Sequence, residues 1–136
     1  MDAIITAAPP HTLNWTAGWF LVLAGIVAGA LLGLGFHRPD FLGGYDSFRR
    51  RLLRLGHIAL MALGIVNVVF GLSPWPEPGS LAAAVAGPAF LTAGITMPLV
   101  CFLAAWREKF RHLFFIPVIA FTTAVITTAF FHGGGS

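Results

Sequence analysis

The sequence predicts an all-α integral membrane protein, a four-transmembrane-helix up-down bundle with both termini on the outer, non-cytoplasmic side. Three observations carry this reading. Of the 136 residues, 57% are hydrophobic and only 10% charged, a balance that no single soluble core of this size could hide. Four apolar stretches come close to the roughly 20 residues a helix needs to cross a hydrocarbon core about 30 Å thick. Every Lys and Arg falls in just two of the intervening segments.

The predicted spans are 17–36, 55–72, 80–105 and 113–131. The first, second and fourth contain no Asp, Glu, Lys or Arg. Together they leave no room for a soluble domain, so 1–136 reads as one transmembrane unit. The segment ahead of the first span lacks a basic n-region and a convincing cleavage site, so that span is expected to be retained. The terminal GGGS, 133–136, reads as a linker tail and is set aside.

Arg38, Arg49, Arg50, Arg51 and Arg54 lie between the first two spans; Arg107, Lys109 and Arg111 lie between the last two. Because Lys and Arg beside spanning helices are retained in the cytoplasm, both basic connections are placed there. Eight cations against Asp40, Asp46 and Glu108 give +5 inside, and Asp2 with Glu77 give −2 outside, which together make the formal +3. The expected location is the inner (cell) membrane, as a multi-pass protein. Short basic loops of this kind meet anionic lipid headgroups rather than nucleic acid.

The connection HRPDFLGGYDSFRRR begins with a Pro that stops the first helix and offers Asp46 or Ser47 as the N-cap of the second. SPWPEPGS, with Pro74, Pro76 and Pro78, is expected to be a stiff outer turn, and WREKFRH a short basic one. Trp15, Trp19, Trp75 and Trp106 fall at span ends, as an aromatic belt requires. Connections this short favour antiparallel neighbours, and the simplest closure is a square bundle.

Within the spans, Gly25, Gly29 and Gly33 repeat every four residues and form a small-residue stripe for close helix packing, which His37 continues. Asn67 needs an interhelical partner, for which Thr92 and Thr96 are suitably placed. Pro98 and Pro117 free the carbonyls of Gly94 and Leu113. The lone Cys101 excludes an intrachain disulfide.

The histidines carry the chemical expectation, because ionisable groups inside a membrane are costly. His57 and His112 enter at similar depth. In a square bundle the diagonal helices would be about 11–14 Å apart, a gap that takes a b-type haem between two imidazoles, with Arg51 and Arg54 as propionate partners. The bland alternative is that His57 bonds to a neighbouring helix while His112 and His37 sit in the wet interface. A metal site from His37 and Asp40 has suitable ligand types but no diagnostic spacing.

Function follows as an expectation: an accessory subunit or module of a larger membrane complex, with a respiratory or redox complex as the candidate, associated with other membrane subunits or with copies of itself. The alternatives are a stand-alone haem carrier between a quinone and an acceptor, or a small-solute carrier or channel. No activated nucleophile, carboxylate pair or phosphate loop points to a hydrolase or transferase.

Overall fold

The computed structural model describes residues 8–132, which are helical apart from the connections between helices. Residues 1–7 and 133–136, with the readings of the first segment and of the GGGS tail, lie outside the described residues.

Four helices are long and apolar enough to cross a membrane. Among the described residues they are α1 (Thr12–Phe36), α2 (Phe48–Leu72), α3 (Leu81–Trp106) and a fourth span, Glu108–Phe131, whose α-helical part is α4 (Phe115–His132). At 1.5 Å per residue, α1 and α2 are each about 37 Å long, more than a hydrocarbon core requires. A 3-10 turn, Phe41–Gly43, lies in the first connection, and a 3-10 segment, Glu108–Phe114, leads into α4.

The helix starts differ from the expected bounds for a physical reason. α2 begins seven residues before 55 because Ser47 caps it, its hydroxyl accepting from the Arg50 amide at 3.2 Å. The arginines are good helix formers, and their long side chains can snorkel. They therefore belong to the first two turns of α2 rather than to a loop. α1 begins five residues before 17, with His11 as its N-cap after Pro9 and Pro10. Ser80 caps α3 by accepting from the Ala83 amide at 3.1 Å. Gly43 and Gly44 take φ of 89° and 92°, where a side chain would be strained, and turn the chain between α1 and α2.

Each helix packs along the next in sequence: α1 on α2, α2 on α3, α3 on α4. Residue pairs set the antiparallel register. Gly18 meets Gly64 and Gly29 meets His57 across α1 and α2, while Gly56 meets Phe102 and Gly94 meets Asn67 across α2 and α3. α1 touches α3 lightly, and no substantial packing joins α1 to α4 among the described residues. The expected square is therefore open. The helices form a staggered row, with α2 and α3 well covered and α1 and α4 facing mostly outward.

Two apolar clusters bind the row. Near the proline-rich loop, Phe70, Ala86, Phe90 and Ala124 join α2, α3 and α4, with ring centroids of Phe70 and Phe90 4.9 Å apart and Phe121 edge-on to Phe90. At the basic end, Leu52, Ala104 and Ala105 pack with Phe110 and Phe114.

Candidate functional site

The polar side chains inside the helix row define the candidate site, and each is held by backbone geometry. Gly18 and Gly64 bring α1 and α2 into backbone contact: a Cβ at Gly18 would stand 2.7 Å from the Gly64 carbonyl oxygen. One turn away, this closeness lets Asn14 reach across two helices. Its Nδ2 donates to Asn67 Oδ1 at 2.8 Å and to the Gly87 carbonyl at 2.9 Å. Asn67 Nδ2 donates in turn to the carbonyls of Leu63 at 2.9 Å and Phe90 at 3.1 Å. Asn67 is 0% and Asn14 4% exposed, so α1, α2 and α3 are clamped by a small amide network cut off from solvent.

This corrects the expected partners of Asn67. Thr96 bonds instead to the Thr92 carbonyl of its own helix. Asn14 was missed because α1 was taken to begin at 17. Extending the glycine stripe backwards would have found it: Asn14, Gly18, Gly25 and Gly29 are spaced by four, seven and four residues and share one face.

His57 lies in the α1–α2 seam. Its Nδ1–H donates to the Gly25 carbonyl at 2.8 Å, and its ring covers Gly29, where a Cβ would stand 2.6 Å from Cε1. Gly25 is similarly filled by Met61, while Gly33 has open space beside it. The stripe is thus used within the chain over its first two members only.

His112 is exposed on the 3-10 segment that packs against α3 and α4. His57 thus lies in the α1–α2 seam and His112 at the surface beside α3 and α4, so the facing arrangement drawn from a square bundle is not formed. His37 and Asp40 are exposed in the first connection, and among the described residues no three His, Cys, Asp or Glu side chains gather around a common point.

The arginines divide by task. Arg50, 5% exposed, turns back onto the end of α1 and donates to the carbonyls of Phe36 at 3.1 Å and Pro39 at 3.3 Å. Its guanidinium also lies 4.4 Å from the Phe36 ring centroid. Arg51 donates to the Asp46 carbonyl and Arg54 to the Tyr45 carbonyl, with Arg54 also over the Tyr45 ring. The residues expected to meet propionates thus hold the connection between α1 and α2.

At the opposite end His11 performs a comparable task. Its amide donates to the Gly71 carbonyl, its Nε2–H to the Pro76 carbonyl at 2.9 Å, and its ring stacks on Phe70. The start of α1 is thereby fixed to the end of α2 and to the proline-rich loop.

Comparison of the chain with protein-family models, with curated proteins and with solved structures finds no match.

Proposed function

We propose that this chain is a four-span inner-membrane protein with its basic connections in the cytoplasm, serving as an accessory module of a larger membrane complex. One observation carries the reading. The Asn and His side chains within the spans, Asn14, Asn67 and His57, are engaged by the chain's own carbonyls and by each other. Buried polar groups tied up in this way set helix register and order. The orientation rests on all eight cations gathering at one end.

The outward faces of α1 and α4 supply apolar surface for neighbouring subunits, and Gly33 offers a place of close approach that costs the chain's own packing nothing. The test is gentle extraction of the tagged chain, followed by sizing and subunit identification, with Gly33→Leu beside the native protein. The reading expects defined partner subunits that are lost or reduced in the variant while helicity is unchanged. A chain that runs as a monomer from its native membrane in both forms would refute it, and one that runs only as a homo-oligomer would assign the surface to self-association.

A b-type haem carrier is the second reading. One observation favours it: donation of Nδ1–H to a carbonyl is how imidazoles that ligate through Nε2 are commonly oriented. A Soret band with reduced α and β bands that is lost in His57→Ala would establish it. A colourless protein at normal yield from a haem-sufficient host would leave the accessory role.

A further inference from the structure

The light contact between α1 and α3 leaves an apolar groove of about 700 Å3 open at the side of the row. Phe20 and Leu31 of α1 mark its length, Ile95 and Leu99 of α3 face them, and Leu60 of α2 forms the floor. Phe102 lines both this groove and a recess of about 410 Å3 at the basic end, whose walls include Leu53, Trp106 and Arg49.

From Phe20 to Leu31 the helix rises about 16 Å, the depth of one leaflet of a 30 Å core. The groove is thus apolar along an acyl chain's length and continues past Phe102 into a recess that carries a cation. Among the described residues, Arg49 is the one cation that lines the recess at its basic end. Arg50, Arg51 and Arg54 give their guanidiniums to backbone carbonyls, whereas the Arg49 side chain is exposed and forms no hydrogen bond or ion pair among the described residues.

We propose that the groove and recess form one binding site for an anionic phospholipid of the leaflet at the basic end. The phosphate lies on Arg49 beside Trp106, and an acyl chain passes Phe102 into the α1–α3 groove. A fixed cation at headgroup depth above a slot one leaflet long is the charge and shape such a lipid presents. The site belongs to the isolated chain and stands independently of any partner subunit.

The test reconstitutes the full chain in vesicles and compares quenching of Trp106 by brominated phosphatidylglycerol and brominated phosphatidylcholine at equal mole fraction. A Trp106→Phe variant isolates the signal. Phosphatidylglycerol is expected to be preferred about fivefold, the factor that one headgroup-level cation supplies. Arg49→Gln should bring the ratio close to one. Arg111→Gln, which removes the same charge from the same end, should leave it unchanged, and Ala28→Phe, which fills the groove, should lower quenching by both lipids. Equal quenching in the native chain, or an equal loss in Arg49→Gln and Arg111→Gln, would overturn the site. So would quenching that falls as the protein-to-lipid ratio rises, since a second copy would then be the occupant.

Discussion

Replacing Asn14 and Asn67 by Ala, singly and together, probes the amide network at its centre. Asn14→Ala removes two interhelical bonds, one to Asn67 and one to Gly87, and strands the Asn67 oxygen in a site with 0% exposure. At about 0.6 kcal/mol per interhelical bond, with a further cost for the unpaired acceptor, the loss should be about 1–3 kcal/mol. Asn67→Ala removes that same bond and the one to Phe90, at a similar cost. Because the Asn14–Asn67 bond is counted in both single variants, the double variant should lose less than their sum, by about 0.6–1.7 kcal/mol. Unfolding in mixed micelles, followed by helicity or by steric trapping, measures all four corners of the cycle. Additivity within about 0.5 kcal/mol would refute the network, because distant, uncoupled sites behave that way.

Other outcomes follow from the same seams. Gly64→Ala should cost about 1–3 kcal/mol by forcing α1 from α2, while Gly33→Ala should stay within about 0.5 kcal/mol; the unfolding assay separates them. Gly29→Ala should destabilise the native chain yet be relieved in a His57→Ala background, because its new methyl group meets the imidazole; an equal loss in both backgrounds would contradict the seam. Arg50→Gln should cost about 2 kcal/mol and speed amide exchange across 37–46, since it uncaps Phe36 and Pro39; unchanged exchange would show that another group holds the connection.

The spans were legible because length and apolarity alone identify them, and the Ser47 cap because Ser and Asp before a helical run are strong signals. Helix starts were less so. A hydropathy reading stops at the first charges, whereas α2 continues through Arg49–Arg54, where Arg50, Arg51 and Arg54 donate to backbone carbonyls. Asn67's need for a partner could be read from its place in a span, but the choice of Asn14 over Thr92 depended on the α1–α2 register, which the Gly18–Gly64 contact sets. Counting residues predicts a depth for His57 and His112 but not their rotations, and the rule that sequence neighbours pack says nothing about whether the first helix closes on the last. The groove beside Arg49 arises from that missing closure and was invisible to one-dimensional patterning.

The proposed arrangement has four crossings with both basic connections on the cytoplasmic side. In a Cys101→Ala background, single cysteines at Pro78, Asp46 and Glu108, all exposed in connections, can be labelled with a membrane-impermeant maleimide in intact cells and again after permeabilisation. In that arrangement Pro78→Cys labels in intact cells, and Asp46→Cys and Glu108→Cys label only once the membrane is opened. Labelling of Asp46→Cys or Glu108→Cys from outside, or of all three alike, would contradict it.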